Sequence, residues 1–123
     1  MPLHWTIDPE RRLMTAVAEG EVTRAEFEAY LDAMGEAGAN GYRKLFDGSR
    51  GDTRMPAEEI LALGVRMRTA HETGPMGPLA VVVPEALAEP LGRVLGMLAA
   101  ARRPMRVFGE ARAARKWISS LPG

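Results

Sequence analysis

The run from Asp47 to Arg54 reads Asp-Gly-Ser-Arg-Gly-Asp-Thr-Arg. It holds two hydroxyls, Ser49 and Thr53, each followed by an arginine, Arg50 and Arg54. Asp47 adds a carboxylate two residues before the first hydroxyl. A phosphate on either hydroxyl would bring roughly two negative charges beside a guanidinium. Pro56 looks like the first residue of a helix, whose amino end would favour such an anion. The chemistry these residues offer is therefore recognition and charge-switching. The plainer reading is a polar connector in which Asp47 caps its own turn.

Nothing comparable suggests catalysis. His4 and His71 are the only histidines, they come from distant elements, and neither has a carboxylate at a telling spacing. Protein metal sites usually need three or four ligands, and the chain has no cysteine to supply thiolates, disulfides or a thiol nucleophile. No G-x-S-x-G or Walker-type loop is present. Gly35, Gly38 and Gly41 precede a strand rather than open a helix, so they are no dinucleotide fingerprint. The residues predict no catalytic group, no metal, no cofactor and no enzyme.

The totals bound the rest. A chain of 123 residues, 46% hydrophobic and 26% charged, has enough apolar material for a core and predicts one folded domain spanning 1–123. The net charge is zero, so no global field draws it to nucleic acid or acidic membranes. No apolar run approaches the roughly 20 residues that a membrane-spanning helix needs. The amino terminus lacks the pattern of a signal peptide. A cytoplasmic location is expected. The charges are unevenly placed, however: residues 1–61 carry 12 acidic and 7 basic side chains, and residues 62–123 carry 4 and 9. Ordinary solvated helix faces account for this unevenness; read instead as a dipole, it would steer a partner, or a second copy head to tail.

The elements that must position the hydroxyl run can be read from periodicity. Leu3, Trp5 and Ile7 alternate with polar residues as a half-buried strand does. Asp8-Pro9-Glu10-Arg11 has turn chemistry, and Leu13 to Ala18 forms the second arm of a hairpin. Thr23 and Glu26 make a capping box, after which Phe27, Tyr30, Leu31 and Met34 form one helical stripe that Gly38 terminates. Tyr42 to Asp47 is a third strand. Pro56 opens a second helix, with Ile60, Leu63, Gly64 and Met67 facing inward. Leu79 to Val83 is apolar on both faces, as in a central parallel strand. A third helix starts near Pro90, Met105 to Phe108 is a last strand, and Ala111, Ala114, Trp117 and Ile118 line a final helix. The order β-β-α-β-α-β-α-β-α predicts an α/β fold: a mixed, mostly parallel five-stranded sheet with four helices.

In this order of elements the chain resembles the STAS family, domains similar to sulfate-transporter cytoplasmic domains and anti-sigma-factor antagonists. Within it, the chain is most similar to single-domain SpoIIAA-like proteins, which are also grouped with lipid-binding Sec14-type domains. The residues that carry the resemblance are YRKLFDGS at 42–49, GPLAVVVPEALAEPLGRVL at 77–95 and PMRVFGEARAARKWI at 104–118. The resemblance implies a regulatory or binding domain that is not a catalyst. In antagonist members a serine in the loop after the third strand controls partner binding through its phosphorylation, and Ser49 is the nearest match here. This chain departs from their Asp-Ser-Ser-Gly-type spacing, because Gly48 follows Asp47 and Pro56 comes seven residues after Ser49.

Two functional readings follow. In the first, the domain recognises a protein partner through residues 47–56, with Asp47, Ser49, Arg50, Thr53 and Arg54 as binding or switch residues. In the second, it carries or senses a small apolar or lipid-like ligand between helices. The second draws on eight methionines, a residue that adapts to irregular surfaces, although plain core filling accounts for them as well. The arginines at 102, 103, 106, 112 and 115, with Lys116, suit a solvated or partner-facing helix. They lack the aromatic platforms that nucleic-acid binding would want.

Overall fold

The structure is a computed structural model and describes residues 3–52, 58–59, 62–63, 65–66, 69–70, 76–84 and 104–122. Strand β1 (Leu3–Asp8) turns back through Pro9–Arg12 into β2 (Leu13–Glu21), and the two pair antiparallel from Leu3↔Ala18 to Asp8↔Leu13. Asp8 holds the turn by accepting the Arg11 amide at 3.2 Å. Arg12 completes it in the left-handed region, at φ 51°, a conformation uncommon for a non-glycine residue.

Helix α1 (Arg24–Glu36) begins on the predicted capping box. The Thr23 hydroxyl accepts the Glu26 amide at 3.3 Å, and the Thr23 amide donates to the Glu26 carboxylate. Gly38, at φ 67°, ends the helix as a left-handed residue should, and the chain re-enters the sheet as β3 (Arg43–Asp52). Residues 58, 59, 62, 63, 65, 66, 69 and 70 are helical, as the segment after Pro56 was expected to be. Strand β4 (Leu79–Val82), strand β5 (Met105–Phe108) and helix α2 (Ala111–Ser120) follow. The helix expected near Pro90 lies outside the described residues.

The five strands form one sheet in the order β1-β2-β3-β4-β5, and every pairing after the hairpin is parallel. Alternation along β2 divides the core in two. Met14, Ala16 and Ala18 face α1 and are buried with Leu3, Val22, Tyr30, Met34, Ala39 and Met76. The small side chains of β2 leave room for rings: Phe27 stacks on Phe46 at 5.5 Å, and Tyr30 meets both Trp5 and Phe46 edge-on at 5.8 Å. Each such pair adds about 0.5–1.5 kcal/mol beyond the area it buries. On the other face Leu45, Ala80 and Val82 pack against Ala114 and Ile118 of α2, which lies across β3, β4 and β5.

Two polar devices tie these layers together. The Arg43 guanidinium donates to the Ile118 and Leu121 carbonyls at the end of α2 and to the Arg11 carbonyl in the first turn. Lys44 is fully buried on the α1 face, its ammonium donating to the Asn40 and Tyr42 carbonyls at 2.6 and 2.7 Å. Gly77 sits against the same 40–42 loop, and its amide donates to the Asn40 carbonyl. A Cβ there would stand 2.1 Å from the Tyr42 carbonyl oxygen, so no other residue fits.

Candidate functional site

β3 outlasts its neighbour. It pairs with β4 only from Lys44↔Leu79 to Asp47↔Val82, whereas its pairing with β2 continues to Glu21↔Asp52. Past Val82 the β4 chain turns to the other side, since the Val83 amide donates to the Phe108 carbonyl and Pro84 has no amide to give. Asp47 is therefore the last β3 residue flanked by strands on both sides.

The register changes immediately beyond it. Val17 is opposite Asp47 and Glu19 is opposite Arg50, so Ala18 of β2 faces two residues of β3, Gly48 and Ser49. This is a β-bulge, a device that re-aims side chains and recurs beside functional sites. Asp47 locks it. Its Oδ1 accepts the Ser49 amide at 3.0 Å and the Ser49 hydroxyl at 2.7 Å. A Cβ at Gly48 would stand 3.0 Å from the Val82 carbonyl oxygen, a tight contact that the glycine avoids. Asp47 is half-buried, while Ser49 and Arg50 are exposed.

The reading of a loop beginning at Asp47 is corrected on this point: the strand continues to Asp52, carrying Ser49 and Arg50. The bulge is the physical reason. An inserted residue breaks the two-residue period, so a strand crossing it loses its alternation, and two glycines add the look of a turn. Asp47 and Ser49 are brought into direct contact, and Arg50 is set in register with Glu19. Thr53 and Arg54 lie outside the described residues. His4 is exposed on β1, and His71 lies outside the described residues.

Beside the bulged end of the sheet lies a depression of about 500 Å³, lined by Glu21, Val22, Thr23, Arg24, Ala25, Glu28 and Glu59. Sequence reading missed its β2 contribution, for which the polar tail Glu19-Gly20-Glu21 was the available signal. A smaller cavity of about 230 Å³ between α1 and the helical residues 66 and 70 is lined by Leu31, Asp32, Gly35, Glu36, Asn40, Arg66, Ala70 and Met76. Arg66 crosses it to pair with Asp32 and to donate to the Glu28 carbonyl. Met14, Met34 and Met76 are core residues, Met76 from the connector that leads into β4. Among the described residues no three His, Asp or Glu side chains are placed to hold a metal ion, and no helix is long and apolar enough to cross a membrane.

A mixed, mostly parallel five-stranded sheet, covered by α1 on one face and α2 on the other and opened by an antiparallel hairpin, defines a STAS-like domain. The chain belongs to the SpoIIAA-like family, whose model matches residues 13–119. Its fold is similar to the crystal structure of an uncharacterised protein with a SpoIIAA-like fold from Shewanella loihica. That match has a TM-score of 0.65 and 19% sequence identity, over 94% of this chain and 93% of that one. No curated protein sequence matches the chain.

Proposed function

We propose that this chain is a non-enzymatic regulatory domain that recognises a protein partner through the carboxyl end of β3, and that a negative charge on Ser49 switches that recognition. The observation that carries the proposal is the Asp47–Ser49 clasp. The exposed Ser49 hydroxyl donates its one proton to a half-buried carboxylate, and that bond holds the bulge from which Arg50 projects. A phosphoryl group on the Ser49 oxygen removes the donor and sets two or so negative charges against the Asp47 carboxylate. The clasp then opens, and Arg50 is the nearest cation in sequence to which the new charge can turn. Here the switch acts from a strand bulge rather than from a helix start. This accommodates the spacing in which the chain departs from the antagonist serine motif. Thr53 and Arg54, five and six residues after Gly48, are further binding or switch residues in this proposal.

The intact mass of the protein isolated from its own host tests the switch. A fraction heavier by one phosphate, absent from Ser49→Ala, is expected; the same heavier fraction in Ser49→Ala would refute Ser49 as the site. Measured under native conditions, the same sample reports any retained apolar ligand, and a bound lipid mass would favour the carrier reading instead.

A further inference from the structure

The two helical faces of the molecule carry opposite charge. Helix α1 has four acidic residues, Glu26, Glu28, Asp32 and Glu36, against one basic residue, Arg24. Helix α2 has Arg112, Arg115 and Lys116, all exposed, and no acidic residue. The sheet lies between them, so the two charged surfaces point away from each other.

Each surface also carries an apolar point. Beside α1, Val65 is 53% exposed, the one large hydrophobic residue so exposed among those described. Its chain neighbour Arg66 is bonded to Asp32 and to the Glu28 carbonyl, which sets Val65 at the margin of the acidic surface. On the opposite face, half-buried Phe108 and Trp117 lie 5.8 Å apart. The Arg106 guanidinium covers them at 5.2 and 5.6 Å. Arginine and tryptophan are the residue types that most often anchor interfaces.

From this complementarity we infer that the basic α2 face docks on the acidic α1 face of a second copy of this chain. Val65 of one copy meets the Arg106–Phe108–Trp117 surface of the next, and the basic and acidic side chains form a polar rim. The two surfaces differ and lie on opposite sides of the molecule, so the contact is heterologous. It leaves a free acidic and a free basic face at the two ends and extends by adding copies. Because its rim is electrostatic, it weakens as salt shortens the Debye length from about 20 Å to about 4 Å. This assembly is independent of the Ser49 switch, which uses the end of the sheet rather than its faces.

Sedimentation equilibrium of the full chain tests the inference. At low ionic strength the average mass should rise with concentration above the 13.4 kDa monomer. In roughly half-molar salt the association constant should fall at least about tenfold. Two charge-reversed variants sharpen the test at exposed positions. Arg112→Glu with Arg115→Glu makes α2 net acidic, and Ala25→Lys, Ala29→Lys and Glu36→Lys together make α1 net basic. Each variant alone should stay monomeric with an unchanged melting temperature, and an equimolar mixture should associate. A monomer at all concentrations in low salt would overturn the inference, as would association that survives reversal of either face. A monomeric protein that instead sediments with vesicles rich in anionic phospholipid would assign the basic face to a membrane, and would overturn it too.

Discussion

The Ser49 hydroxyl makes a single short bond, and together with the Ser49 amide it ties the bulge to Asp47. Ser49→Ala removes the hydroxyl donor but keeps the amide bond to Asp47, at an exposed position. It should cost under about 1 kcal/mol, while Ser49→Asp sets two carboxylates together and should open the clasp. Amide hydrogen exchange across Gly48–Asp52 distinguishes the two: protection close to wild type in Ser49→Ala and a clear loss in Ser49→Asp. A second residue-scale expectation concerns Gly77, whose missing side chain lets it pack on the Tyr42 carbonyl. Gly77→Ala forces the 40–42 loop away and disturbs the carbonyls that receive buried Lys44. It should destabilise the domain by roughly 3 kcal/mol or more, read by urea denaturation. The Asp47 bond to the Ser49 amide was legible, because an aspartate readily accepts from its own backbone two residues on, although the strand runs past it. Lys44 was not recognised as a buried anchor, since a lysine in a strand ordinarily reads as a solvent-facing residue, and only the carbonyls folded around it show otherwise.

At the scale of elements, the hairpin, α1, β4, β5 and α2 follow the sequence pattern closely because each has its own local signal. The capping box starts α1, the left-handed Gly38 ends it, and an apolar run bounded by prolines marks β4. Thr23→Ala should therefore cost about 1 kcal/mol, seen as a lowered melting temperature with an unchanged fold. The carboxyl half of β3 was not legible, because a bulge is a relation between two strands and leaves no periodic trace in one of them. Helix α2 has no side-chain cap at its start and no basic residue in its last turn. Its end is held from outside by Arg43, which donates to the Ile118 and Leu121 carbonyls. Arg43→Met should release that end and the first turn together, at a cost of about 2 kcal/mol in thermal unfolding. Hydrogen exchange should then rise first in residues 118–121.

For the whole molecule, chain order was enough to give the sheet its composition, since helices between strands require parallel neighbours and a short turn allows only an antiparallel one. The uneven charge between the halves of the sequence is visible in the fold, with α1 acidic on one face and α2 basic on the other. What no single residue could reveal is that β3 projects beyond β4, so that the Asp47–Ser49 bulge stands where the sheet is only partly covered by neighbouring strands. The central claim is that a protein partner reads this end of the sheet and that charge on Ser49 governs the reading. A photo-crosslinking amino acid in place of exposed Arg50, introduced in the native host, tests it most directly, with the same group at His4 as the control. The account predicts a discrete protein adduct at position 50, absent at position 4 and lost when Ser49→Asp is added. No protein adduct at position 50, or one that persists undiminished with Ser49→Asp, would contradict it.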